Sequence, residues 1–232
     1  MNFSADLSRY LNIDLSENQS SLFELYYKEL IEYNKTTNLT RIVQKDEVFY
    51  KHFYDSLTLS LVINFHHITS ICDMGSGAGF PGIPLKIIFP SIKLTIIDSL
   101  GKRIKFLEHL IQKLGLDDVH LVHDRIETFA SKNQAAFDIV TARALGKLNY
   151  IAELGLPMTK IKGLFIAMKT NTYTTEIEEA REALKKLKST IIQVKEFELP
   201  NHFGSRAHVV IQKNKHIDGF PRTHVQMQNK PL

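Results

Sequence analysis

The pattern of apolar and polar positions changes once along the chain, near residue 69. Before it the spacing is helical. Leu22, Tyr26, Leu30 and Tyr33 recur at intervals of 4, 4 and 3, which puts them on one helix face. The polar run Asn34-Lys35-Thr36-Thr37-Asn38 ends that helix. A second helical stretch is predicted over 45–61, with Val48, Phe49, Phe53, Leu57 and Leu61 as its buried side. From Thr69 onward, short apolar runs alternate with amphipathic ones. Strands are predicted at 69–74, 93–98, 119–123, 137–142, 163–168, 190–197 and 207–213. Helices are predicted at 83–89, 102–114, 147–156 and 174–188. Such alternation implies parallel strands joined by right-handed crossovers. Only a short turn at 200–205 separates the last two strands. It is too short for a crossover helix, so that pair must be antiparallel. The expected fold is α/β and Rossmann-like: a seven-stranded, mostly parallel sheet with an antiparallel last strand, preceded by a helical extension. The pattern divides the chain into 1–68, 69–213 and a tail at 214–232.

The densest chemistry lies where the first strand meets the first helix, in Asp73-Met74-Gly75-Ser76-Gly77-Ala78-Gly79-Phe80-Pro81-Gly82. Glycines this close permit positive φ and let a ligand approach bare backbone, and the following helix turns free N–H groups toward it. Two nucleotide sites fit. Residues 77–82 match G-x-G-x-x-G, the dinucleotide fingerprint. Residues 73–79 match the acidic-x-G-x-G-x-G loop of S-adenosyl-L-methionine enzymes. Pro81 and Pro84 delay the helix start, which harms a pyrophosphate site more than one for a ligand without phosphate. The antiparallel final hairpin favours the same choice, since the dehydrogenase sheet has another order. Asp98 ends the second strand, where a carboxylate accepts hydrogen bonds from ribose hydroxyls in either class. A helix-capping role competes for Asp98 and more strongly for Ser99. Arg143 ends the fourth strand at the same carboxyl edge, where ligands bind.

Charge adds a second theme. The net charge is +4 over 232 residues, and the segment 200–232 alone, with five cations and one anion, accounts for all of it. A basic end suits a polyanionic partner or a solvated tail. Arg41, Lys45, Lys51 and His52 form a further candidate basic face. Cys72 is the only cysteine and falls inside an apolar strand, which suits a buried thiol rather than a nucleophile. No apolar run approaches the ~20 residues that span a bilayer, and the first ten residues lack a signal pattern. A cytoplasmic, monomeric protein without a membrane partner is expected.

Gly75-Ser76-Gly77-Ala78-Gly79-Phe80-Pro81-Gly82-Ile83-Pro84-Leu85, Asp98-Ser99-Leu100-Gly101-Lys102-Arg103 and Ala142-Arg143-Ala144 resemble the glucose-inhibited division protein B family, the small-subunit ribosomal RNA methyltransferases G. The likeness extends to Tyr33-Asn34-Lys35 with Asn38-Leu39-Thr40, to His52 with Asp55-Ser56-Leu57, and to Phe220-Pro221-Arg222 and Lys230-Pro231-Leu232. Residues 223–229 depart from it, being less basic than is usual there. The resemblance implies S-adenosylmethionine as cofactor and matches Gly75, Phe80, Ile126, Glu127 and Arg143 to the family's contact positions; Ser76, Gly77, Gly79, Asp98 and Ser99 are expected beside them from the loop and the strand end. It implies 16S ribosomal RNA, in the 530-loop region and presented by the small ribosomal subunit, as substrate. Phosphate contacts are expected from Arg41, Lys45, Lys102, Arg103, Arg206 and Arg222.

The implied product is N7-methylguanosine. Guanine N7 presents a free lone pair, so attack needs no general base. Positioning alone is expected, with no catalytic acid, base, nucleophile or metal. Arginine commonly reads guanine through O6 and N7 together, which here would block the nucleophile. Recognition is therefore expected through O6, the Watson–Crick edge or stacking, with the base drawn out of its structure. An NAD-linked oxidoreductase and a non-catalytic RNA- or nucleotide-binding module are the alternatives.

Overall fold

A computed structural model describes residues 1–232. The helical extension begins with α1 (Phe3–Leu11), capped by Asn2, and α2 (Glu17–Thr37), which opens with a Ser16–Gln19 capping box and ends on left-handed Asn38. The 45–61 stretch is helical throughout but not uniformly α. A short α3 (Lys45–Val48) passes into a π-helical turn over Phe49–Tyr54, then α4 (Asp55–Leu57), then a 3-10 turn over Thr58–Leu61. The π turn buries four aromatic rings, Phe49, Tyr50, Phe53 and Tyr54. π turns of this kind recur at functional sites, and this one places His52 and Asp55.

The alternating region follows as expected: β1 (Ser70–Met74), α5 (Gly82–Ile88), β2 (Lys93–Asp98), α6 (Gly101–Leu114), β3 (Val119–His123), α7 (Ile126–Lys132), β4 (Phe137–Arg143), α8 (Leu148–Met158), β5 (Thr159–Lys169), α9 (Tyr173–Lys186), β6 (Ser189–Glu198) and β7 (Ser205–Lys213). The sheet order is β3-β2-β1-β4-β5-β7-β6. β7 lies antiparallel between β5 and β6, and every other pairing is parallel. Two short helices escape the sequence pattern. In α7 only Ala130 is buried, which leaves almost no periodic signal. α10 (His224–Asn229) has six residues and is held by a Thr223–Gln226 capping box. β5 starts four residues before the expected position, because Thr159 already pairs with Phe137 ahead of an irregularity in the register.

Alternation along the strands decides the two cores. Ile71 and Ile96 face α1–α6, while Cys72, Met74 and Ile97 face α7–α10. The extension is no appendage. Leu7, Phe23, Tyr26 and Phe53 are fully buried in one apolar cluster with Ile71, Ile83 and Phe106. The 214–232 segment also packs down, through buried Ile217 and Met227 on the opposite face. No helix is long and apolar enough to cross a membrane.

The order fixes where a ligand can sit. The order in which successive strands are added to the sheet reverses between the parallel neighbours β1 and β4, whose ends pair Met74 with Ala142. At such a switch the connections leave on opposite faces and open a crevice at the carboxyl ends. The glycine loop after β1 and Arg143 at the end of β4 both line this crevice.

Candidate cofactor trough and adjoining pocket

Asp73 is the peg of the glycine loop. Its Oδ2 accepts from Ser76 Oγ at 2.6 Å and from the Gly82 amide at 2.8 Å, while its Oδ1 has no partner. Burial pushes its carboxyl up to about 6 despite those hydrogen bonds. Gly75, Gly77 and Gly79 take φ of 66°, 64° and 101°, a region costly for residues with a Cβ. A Cβ at Gly77 would meet nothing within 4 Å, so bare backbone faces open space there; one at Gly79 would lie 2.6 Å from Tyr26 Oη. α2 secures the loop from behind. Tyr26 donates to the Ala78 carbonyl at 2.5 Å and stacks on Phe80.

Two adjoining hollows run along this loop, of about 240 and 250 Å³. Gly75, Arg103 and Leu145 line both, so they form one trough, within the roughly 300–1,000 Å³ range of ligand pockets when joined. One end holds Asp98, Ser99, Ile126 and Glu127; the other holds Ser76, Gly77, Phe80 and Arg143 with Leu39, Thr40 and His52. The expected cofactor residues thus converge, in three different ways. Gly75 and Gly77 offer backbone. Ser76 turns its hydroxyl inward to Asp73, and Gly79 supports the turn rather than the trough wall. Phe80 is stacked between Tyr26 and His52, 4.5 Å from the latter's ring.

Asp98 is more engaged than its position at a strand end suggests. Only 2 % exposed, it accepts from the Gly77 amide (3.1 Å), the Leu100 amide (2.9 Å) and Arg103 Nη1 (3.1 Å). The Leu100 contact is the local turn that competes with capping; Ser99 caps nothing, and its carbonyl lies 3.2 Å from His123 Nε2. A carboxylate has about four acceptor sites, so one remains while Arg103 stays in place. An adenosine fits these residues: a carboxylate with spare acceptor capacity stands beside a glycine cradle, and Ile126 offers an apolar wall. Glu127 is occupied by Arg125 at 2.5 Å.

Arg143 joins the trough to a second pocket of about 380 Å³, which it lines together with His52 and Ala144. Its Nη1 donates to Asp55 Oδ2 at 2.9 Å and to the Lys51 carbonyl at 3.2 Å, and its guanidinium lies 5.0 Å from the Phe80 ring centre. Arg206 holds the other Asp55 oxygen at 3.1 Å. Lys51, Lys169 and Glu176 complete the polar lining, with Lys169 donating to Glu176 at 2.6 Å. His52 is held neutral: burial, then the Arg143 charge, lower it to about 3.

The six expected phosphate contacts do not form one surface. Arg41 is exposed and makes no ion pair. Lys102 is exposed and donates to the Thr37 carbonyl. Lys45 pairs with Glu24 on the surface. Arg103 belongs to the trough and Arg206 to the second pocket. Arg222 lies against α8, where Glu153, 1 % exposed, accepts from its backbone and guanidinium, while Nη1 reaches the Lys230 carbonyl. Thr40, Leu145, Tyr150, Asp55, Lys169 and Glu176 were not singled out as site residues from the sequence. Thr40 and Asp55 stood inside quoted motifs, which was the available signal; the others carry none.

A seven-stranded sheet with an inserted antiparallel strand, a glycine cradle and an acidic strand end define a Rossmann-like, S-adenosylmethionine-dependent methyltransferase. Solved structures share the fold: M. jannaschii TYW2 in complex with AdoMet (TM-score 0.56, 16 % identity, 74 % of this chain and 76 % of that one) and a mutant of MtNAS in complex with S-adenosylmethionine (0.56, 14 %, 85 % and 76 %). The GidB family model, rRNA small subunit methyltransferase G, matches residues 19–204. The chain is 47 % identical over 226 residues to the ribosomal RNA small subunit methyltransferase G of Acholeplasma laidlawii, covering 97 % of this chain and 98 % of that one. It is 46 % identical over 223 residues to that of Staphylococcus aureus, covering 95 % and 93 %. The chain belongs to the rRNA small subunit methyltransferase G (GidB) family.

Proposed function

We propose that the protein methylates N7 of a guanine in 16S ribosomal RNA, with the small ribosomal subunit as the source of that RNA and the cytoplasm as the place. The observation that carries this reading is the junction at Arg143: a trough suited to an adenosine ligand opens, past His52 and Ala144, into a separate pocket lined by cations. S-adenosylmethionine, when bound, supplies an activated methyl group with its own leaving group.

The chain's residues supply position. Asp98 and Ile126 hold the nucleoside end, and the bare backbone at Gly75 and Gly77 lets the rest of the ligand lie close. Arg143 is fixed by Asp55, Lys51 and Phe80, so it is held in place beside the passage between the two pockets. A guanine in the second pocket would face Lys51 and Arg206, which suit O6 and the flanking phosphates. No base is free for proton removal. Asp55 is held by two arginines, Glu176 by Lys169, and neutral His52 is too weak a base at about 3. N7 needs none. Among the cations, Arg41 and Lys102 are the exposed contacts for phosphates nearby.

Incubation with labelled S-adenosylmethionine and small subunits from a strain lacking the protein tests the reading. Label is expected in the 16S RNA; label in ribosomal protein, or none, would overturn it.

A further inference from the structure

Two stretches of the family resemblance, Tyr33-Asn34-Lys35 and Asn38-Leu39-Thr40, have no part in the chemistry above, yet Leu39 and Thr40 of the second line the trough and Asn34 of the first holds Thr40. α2 ends on left-handed Asn38. The chain then folds back so that Asn34 grips Thr40 at both backbone groups: Oδ1 accepts from the Thr40 amide at 2.9 Å and Nδ2 donates to its carbonyl at 3.0 Å. Thr40 is thereby held in the same hollow as Gly77, Phe80 and Arg143.

The direction of its hydroxyl hydrogen follows from its neighbours. Arg143 has donors only, and its Nη2 lies 3.3 Å from His52 Nδ1. That nitrogen must therefore accept. The neutral ring carries its proton on Nε2, which lies 3.0 Å from Thr40 Oγ1 and donates to it. The Ile42 amide donates to the same oxygen at 3.1 Å. A hydroxyl has two lone pairs and one hydrogen. Both lone pairs are filled, and the hydrogen has no acceptor within the protein. Thr40 therefore presents a donor, and nothing else, to the trough.

We propose that the Thr40 hydroxyl is a dedicated donor to the α-carboxylate of S-adenosylmethionine, its hydrogen directed by the Arg143–His52 relay. The proposal rests on the cofactor reading. With the nucleoside at Asp98 and Ile126, the amino-acid end falls in the hollow that Thr40 lines. That end carries a carboxylate, which only accepts, and an ammonium, which only donates. A hydroxyl with filled lone pairs cannot serve the ammonium, so it selects the carboxylate. Thr40 is a binding residue; His52 and Asn34 are positioning residues that act through it.

The test compares two ligands that differ in the amino-acid end: S-adenosylhomocysteine, which has it, and 5′-methylthioadenosine, which lacks it. Titration calorimetry is run on the wild type, Thr40→Val, Thr40→Ser and His52→Phe. Thr40→Val should weaken S-adenosylhomocysteine about tenfold, the effect of one hydrogen bond to a charged group, and leave methylthioadenosine unchanged. Thr40→Ser should restore wild-type affinity for both. His52→Phe keeps a ring on Phe80 but frees a lone pair on Thr40, and should weaken only S-adenosylhomocysteine; it carries the same comparison if Thr40→Val does not fold. Equal losses for both ligands, or no loss for either, would overturn the proposal. A wild type that binds neither ligand would instead overturn the cofactor reading, and the proposal with it.

Discussion

Replacing Asp98 by alanine tests the cofactor trough at its most loaded residue. Asp98 is 2 % exposed and serves three donors: the Gly77 amide, the Leu100 amide and Arg103. The ligand loses a hydrogen bond to a charged acceptor, worth about 1.5–3 kcal/mol, so Kd for S-adenosylmethionine should rise about 10- to 150-fold. The fold also loses something, because the Gly77 and Leu100 amides are left without acceptors in a partly buried turn. That costs about 1–3 kcal/mol, while Arg103, a third exposed at its side chain, can turn to water. A companion variant separates the two effects. Arg103→Gln removes a competitor for the acceptor capacity of Asp98 while leaving both amides their acceptor, so S-adenosylmethionine binding should hold or tighten with stability little changed. Calorimetry gives the affinities and urea unfolding the stabilities. A folded Asp98→Ala protein with unchanged affinity would remove Asp98 from the cofactor site.

Three further outcomes follow from the geometry. Gly77→Val, with room for its Cβ but a φ of 64°, should fold with modestly reduced stability and lose S-adenosylmethionine binding, whereas Gly79→Ala, whose Cβ would lie 2.6 Å from Tyr26 Oη, should mainly lower the melting temperature. Arg222→Gln should leave RNA affinity nearly unchanged and cost about 3–5 kcal/mol of stability, since it strands a buried Glu153 carboxylate. Stability should fall on acidification below about pH 6.5. Burial lowers His208 to about 4 and His52 to about 3, so the unfolded chain binds more protons than the native one in that window. Asp73, raised to about 6, acts in the opposite sense down to its ordinary range near 3.8. Replacing His208 by glutamine should therefore flatten the slope between pH 6.5 and pH 4 by about one proton, read by urea unfolding across pH.

What was legible in the sequence depended on how local its cause was. The strands and the longer helices followed from spacing, and the antiparallel β7 followed from a connection too short to cross over. The positions of Asp98 and Gly77 were legible because a strand end and a tight turn set them. Charge was legible, but its partners were not. Arg206 and Arg222 looked like phosphate contacts from the basic segment, yet Asp55 and Glu153, 151 and 69 residues away, hold them. The setting of the Thr40 hydroxyl was opaque for the same reason, since Asn34, His52 and Arg143 meet around it from three segments. The π turn gave no signal of its own, because an aromatic run at 49–54 reads as an ordinary buried helix.

The most direct measurement maps the methylated atom. Small subunits from a strain lacking the protein are incubated with it and methyl-labelled S-adenosylmethionine, and the RNA is digested to nucleosides. A single N7-methylguanosine, lost in Asp98→Ala, is the predicted result. Label on an exocyclic amine or a ring carbon would contradict transfer by positioning alone, because those atoms must shed a proton and the pocket's two carboxylates, Asp55 and Glu176, are both tied up in ion pairs.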